Sequence, residues 1–188
     1  MRAIIICLCL LSCVALCAAQ EKKAVADKAS PPNFSGAWTR DNAKSTFGKF
    51  KHKPYAKGIV TMTVEHNEPE CRVIKRIKHE DGKQQEEDLL YYTDKRGETN
   101  PTLFWAGELT SQTVWKGRKL VSEGPEKRKD EDGESLFIMK EEWTLSPDGK
   151  TLTDMIYLQR KGVTKGPILG EMMMDEKDII KQVYRRVE

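Results

Sequence analysis

At 188 residues the chain is long enough for one well-packed domain. Its 32 basic and 29 acidic side chains leave a net charge of only +3. That balance speaks against nucleic acid as a partner, because phosphate binding calls for a clustered excess of Lys and Arg.

Residues 1–19 read as a signal peptide. Arg2 supplies the positive start, Ala3 to Leu16 are almost wholly apolar, and Cys17-Ala18-Ala19 offers small residues for cleavage before Gln20. Polar Gln20-Glu21-Lys22-Lys23 follows too soon for a spanning helix, which needs about 20 apolar residues. The expectation is an exported protein, secreted or periplasmic, with no membrane span. Lipoprotein anchoring at Cys13, after Leu10-Leu11-Ser12, is the weaker reading, because apolar residues rather than a polar tether follow it. Four of the five cysteines lie in this leader, so the remaining Cys71 forms no internal disulfide and reads as a small buried hydrophobe. Residues 20–32 are charged and end in Ser30-Pro31-Pro32, the composition of a flexible spacer. The folded domain is expected over residues 33–188.

Within it, short apolar runs alternate with turns at Asn67-Glu68-Pro69, Asp81-Gly82, Lys95-Arg96-Gly97, Lys116-Gly117, Asp132-Gly133, Pro147-Asp148-Gly149 and Lys161-Gly162. A spacing of roughly 10 to 16 residues is that of antiparallel hairpins. Asp41 to Thr46 suggests a single helical turn. Val60, Met62 and Val64 share one strand face, and Cys71, Val73 and Ile77 continue the pattern in the next run. Leu89 to Thr93, Leu103 to Ala106, Thr113 to Trp115 and Lys119 to Ser122 are shorter strands, and the charged run Glu126 to Asp132 reads as a solvated loop. The strongest hairpin spans Ser135 to Arg160. Read with a three-residue Pro147-Asp148-Gly149 loop, it sets Glu142 opposite Asp154. The C-terminal segment fits either a helix or a closing strand, and strand is preferred because a barrel pairs its last strand with its first.

Little here nominates chemistry. His52, His66 and His79 are scattered and read as solvated turn residues, so no metal is expected. No nucleophile elbow or phosphate-binding glycine loop is present, no cofactor is implied, and a binding role is favoured over an enzyme. The aromatic residues are more informative. Trp105, Trp115, Phe137 and Trp143 fall on different strands, and closure of the sheet would bring them toward one interior as candidate ligand-binding residues.

Asn33-Phe34-Ser35-Gly36-Ala37-Trp38, with Trp143 to Thr153 later in the chain, resembles small exported bacterial proteins of the lipocalin-like, calycin type. Gly36-Ala37-Trp38 is similar to the Gly-x-Trp of the first lipocalin strand. The resemblance implies an antiparallel up-and-down β-barrel of about eight or more strands with little helix. It also implies that Trp38 packs across the closed end under Arg185 or Arg186, a cation–π contact, with Gly36 leaving room for the approach. The functional expectation is an exported protein holding a small, largely apolar ligand in the barrel interior. The alternative is a filled barrel that binds a protein or cell-envelope partner by its surface, and a hydrolase or isomerase on such a barrel is a third, weaker class.

Overall fold

In the computed structural model, residues 30–101, 108–130, 133–166, 170–173 and 176–187 are described, and all the elements below lie in the unit Pro32–Glu188. Eleven strands follow one another: β1 Gly36–Arg40, β2 Ile59–Asn67, β3 Glu70–Lys78, β4 Gln84–Tyr92, β5 Glu98–Pro101, β6 Glu108–Lys116, β7 Lys119–Asp130, β8 Gly133–Leu145, β9 Thr151–Gly166, β10 Gly170–Met173 and β11 Glu176–Arg186. Every pairing is antiparallel, and the strand order is β4-β3-β2-β1-β11-β9-β8-β7-β6-β5, with β10 a short addition to β9. Ten strands thus form a nearly closed up-and-down barrel: the turn spacing and alternation predict its antiparallel hairpins, and the resemblance implies the barrel.

Alternation explains the strands. In β2, Val60, Met62, Val64 and His66 point inward while Ile59, Thr61, Thr63 and Glu65 face solvent. The C-terminal segment is β11, which joins the barrel's two ends by pairing Trp38 with Arg186 and Arg40 with Tyr184. Among the described residues helix is confined to two turns between β1 and β2: a 3-10 turn at Gly48–His52 and α1 at Pro54–Lys57. Neither was predicted, because five- and four-residue turns leave no periodicity to read. The expected turn is present on a smaller scale, where Asp41 O accepts Lys44 N–H at 3.2 Å and Ser45 Oγ at 2.8 Å.

Three readings need correction. The β8–β9 loop has four residues, Pro147 to Lys150, closed by Ser146 N–H to Thr151 O at 2.8 Å. This slips the register by one, so that Trp143 faces Asp154 and Glu142 faces Met155. A one-residue change moves every pair. The charged run from Glu126 is strand rather than loop up to Asp130, since β7 pairs with β8 out to Asp130 opposite Gly133. His66 is not a solvated turn histidine: it is 7% exposed, and its Nδ1 accepts Phe34 N–H at 3.4 Å. The proposed strand at Leu103 to Ala106 lies outside the described residues.

Candidate functional site: a polar chamber in the barrel

The apolar core gathers Phe34, Trp38, Val60, Met62, Val73, Leu152, Ile180 and Tyr184. Trp38 is fully buried, its Nε1 donates to Phe34 O at 3.0 Å, and the Arg186 guanidinium lies 4.4 Å over its ring. Arg186 is fixed by the carbonyls of Ser35 at 2.7 Å and Gly149 at 2.9 Å. A β-carbon on Gly36, whose φ is +137°, would stand 2.6 Å from Arg186 Nη1, so this backbone position and this close approach both require glycine. Arg185 faces outward and pairs with Asp41 at 2.5 Å.

Trp115 and Trp143 flank Phe34. Trp115 stacks on it at 5.7 Å and 9° and donates Nε1 to Glu68 Oε1 at 2.7 Å; Trp143 meets it edge-on at 5.7 Å and donates Nε1 to Glu141 Oε1 at 2.9 Å. His66 Nε2 lies 3.0 Å from Glu68 Oε1, and Thr93 also bonds that carboxylate. Burial works against the Glu68 charge, but these bonds from Thr93, Trp115 and His66 hold its pKa below the ordinary value. Trp143 also borders a void of about 10 Å³ with Tyr91, Leu120, Ser122 and Glu141. Trp105 and the side chain of Phe137 lie outside the described residues.

The larger cavity, about 40 Å³, has a mixed lining in which Leu89, Leu109, Met139 and Ile156 alternate with Tyr55, Lys75, Glu87, Glu141 and Gln182. At roughly 10–15 Å³ per water on this scale, it has room for two or three. Its polar lining comes from inward strand positions that alternation alone would fill with apolar residues. Lys75 sits between Val73 and Ile77, Glu141 between Met139 and Trp143, Asp154 between Leu152 and Ile156, and Gln182 between Ile180 and Tyr184. A charge in the inward phase of an alternating strand was the sequence signal, and it was passed over because each strand was judged by its apolar members.

Gln182 is the hub. Its Oε1 accepts from Tyr55 and, at 3.0 Å, from Tyr184, while its Nε2 donates to Asp154 Oδ2 at 3.0 Å. Arg40 reaches the same oxygen at 3.4 Å and also donates to the carbonyls of Tyr55, Ala56 and Gly58 at 2.8, 3.1 and 2.9 Å, tying α1 to β1. Glu141 accepts Tyr91 Oη–H at 3.0 Å as well as the Trp143 indole. Burial pushes the Asp154 pKa well up, and the neighbouring Glu141 carboxylate pushes it further. Burial thus favours the protonated form of Asp154, whose Oδ1 has no other hydrogen-bond partner among the described residues and lies toward Glu141. Glu87 is raised by burial too. Burial opposes the Lys75 charge, yet Tyr55 and the carboxyl groups of Glu141, Asp154 and Glu87 outweigh it and the ammonium stays protonated. Lys75 is 4% exposed, and among the described residues its ammonium makes no hydrogen bond or close ion pair. The same residues hold no group of three or more His, Cys, Asp or Glu able to bind a metal ion, and no helix among them is long and apolar enough to cross a membrane.

Compared with solved structures, the chain is similar to the REP1-NXSQ fatty acid transporter, at 10% identity and a TM-score of 0.50, over 82% of this chain and 96% of that one. It is similar to apo lipid binding protein 8 of Caenorhabditis elegans at 10% identity and a TM-score of 0.51, over 85% and 100%. The fold is lipocalin-like. This lipocalin-like barrel also overlaps zebrafish ileal bile acid-binding protein, at 8% identity and a TM-score of 0.46, over 82% and 98%. It matches no protein-family model and no curated protein sequence.

Proposed function

We propose that the protein is an exported binding protein that holds a small, largely apolar ligand in the barrel, with Lys75 meeting the ligand's polar end. One observation carries this reading: a protonated lysine, almost fully buried and without a hydrogen-bond partner among the described residues, lines a cavity that Leu89, Leu109, Met139 and Ile156 also line. A buried ammonium is costly unless it is paired, and an acceptor on a ligand would complete it. The apolar side chains suit the ligand's body. That two barrels of this fold are a fatty acid transporter and a lipid binding protein supports an apolar cargo, and the leader at residues 1–19 supports export. A cavity of about 40 Å³ is far smaller than a lipid chain, so uptake requires lining side chains such as the unbranched Met139 to move aside.

The test is native mass spectrometry of residues 20–188, extraction of any passenger, and titration with fatty acids and hydrophobic dyes, read by tryptophan fluorescence. The expected result is a stoichiometric apolar ligand. Lys75→Met should weaken a carboxylate-bearing probe by about 10- to 100-fold, the worth of one charge-assisted hydrogen bond. An empty protein indifferent to the whole panel would overturn the reading.

That outcome would favour the filled-barrel alternative, which one feature supports. Ile59, 61% exposed, borders an outer groove of about 400 Å³ over β2, β3 and β4 with Thr61, Arg76, Lys78 and Glu86, a surface suited to a protein or cell-envelope partner.

A further inference from the structure

The strand order begins at β4 and ends at β5, so these two strands meet where the barrel closes. Every other neighbouring pair in that order is joined by a backbone ladder, as in the nine residue pairs of β3 and β4. Among the described residues no ladder joins β4 to β5. Side chains take its place. Asn100 imitates a peptide group: its Oδ1 accepts Leu90 N–H at 2.7 Å, and its Nδ2 donates to Leu90 O at 2.8 Å. Two positions away, Glu98 Oε2 accepts Tyr92 N–H at 3.2 Å. The other oxygen of Glu98 accepts from Ser111 and Thr113, each at 2.7 Å, which fastens the carboxylate to β6. The cavity lies directly behind, with Leu89 and Tyr91 of β4 on one side of the line and Asn100, Leu109 and Ser111 of β5 and β6 on the other.

We propose that the seam between β4 and β5 is the route by which ligand enters the chamber, and that Asn100 and Glu98 are the latch that closes it. The proposal rests on the carrier reading. Three side-chain hydrogen bonds hold a line that elsewhere carries a full ladder, so local opening is concentrated there. Because Glu98 belongs to the β5–β6 side through Ser111 and Thr113, release of Leu90 and Tyr92 parts the strands without dismantling either sheet. The opening parts Leu89 of β4 from Leu109 of β6, with Lys75 on the next strand, β3, so an amphipathic ligand would meet aliphatic side chains at the line of parting before the ammonium.

The experiment has two arms. In the first, amide hydrogen exchange is followed in the ligand-free protein. The Leu90 and Tyr92 amides, which point across the seam, should exchange faster than those of Leu89 and Tyr91, which point to β3; equal protection overturns the latch whether or not any ligand binds. In the second, stopped-flow fluorescence measures entry and exit of anilinonaphthalene sulfonate. Asn100→Ala should speed both by about tenfold, since both pass the same seam, with affinity little changed. Asn42→Ala, which loosens the turn before β2 through its bond to Gly58 O at 3.0 Å, should leave both rates alone. Acceleration by Asn42→Ala but not by Asn100→Ala moves the entrance to the helical turns and overturns the seam. Should Asn100→Ala fold poorly, Asn100→Asp, which replaces the donor to Leu90 O with a repelling carboxylate oxygen, keeps the same comparison. If no probe enters the wild-type protein, it is the carrier reading that falls, and the exchange arm still judges the latch.

Discussion

Trp38 and Arg186 are single residues on which much packing converges. The indole fills the core, donates to Phe34 O and carries a guanidinium that two backbone carbonyls hold in place. Trp38→Phe removes the N–H and part of that volume, so we expect a loss of roughly 1–3 kcal/mol, seen as a lower urea midpoint at unchanged slope. Unaltered stability would show that the pair is ornamental. Cys71 behaves oppositely, as a residue with latent chemistry and no access. Burial pushes its thiol up to about 12, with Glu68 and Glu141 adding to the effect. A thiolate is the reactive form, so the native protein should stay unlabelled by a thiol reagent at neutral pH and become labelled only as denaturant unfolds it; rapid native labelling would contradict the buried position. The Gly-x-Trp pairing was legible because a resemblance supplied the partner. The partners of His66 were not: its inward phase follows from Val60, Met62 and Val64, but nothing in its neighbours tells a reader that Phe34 N–H and Glu68 will occupy its two nitrogens.

Strands were the most legible elements, since β2 and β3 alternate cleanly and their side chains follow. Their ends were less so. The β8–β9 register slipped by one because Pro147-Asp148-Gly149 fits a three-residue loop as well as it fits part of a four-residue one, and local turn chemistry cannot count the closing residue. The chamber was hidden for a different reason: its polar lining is assembled from β3, β4, β8, β9 and β11, and no short stretch contains two members that touch. At this scale β11 matters most, because through Gln182 it binds α1, β1 and β9 at once. Gln182→Leu would strand the hydroxyls of Tyr55 and Tyr184 and the Asp154 carboxyl. A cost of roughly 3 kcal/mol or more is expected from several unsatisfied buried groups. Thermal melting should show it, and a variant melting with the wild type would mean the hub is replaceable by water.

Across the whole molecule, the interior sets the Lys75 ammonium, without a hydrogen bond among the described residues, against several acids, and this governs how stability responds to pH. Native Asp154 keeps a proton that the unfolded chain gives up near pH 4, as an ordinary aspartate does. The folded state then binds more protons, so stability falls as pH rises from that value through the raised native one. Glu87 acts in the same sense. Lys75 acts in the same sense at the other end of the scale: the stability it contributes is complete below the ordinary lysine value and is lost as pH climbs through its higher native one. Asp154→Asn reproduces the neutral acid, accepting from Gln182 and offering an N–H toward Glu141. Urea midpoints from about pH 5 to pH 9 should therefore fall less steeply for the variant, which should be the more stable protein at the alkaline end; parallel curves would mean Asp154 is ionised throughout. The pairing of β1 with β11 also has a consequence in time. Trp38 and Arg186 stand almost a domain's length apart in the chain, so the barrel cannot close until the last strand has been made. A polypeptide emerging in order remains an open sheet with Trp38 uncovered for nearly its whole synthesis. Contacts of such long sequence separation form slowly, and during that delay the chain can still be threaded or held by a chaperone.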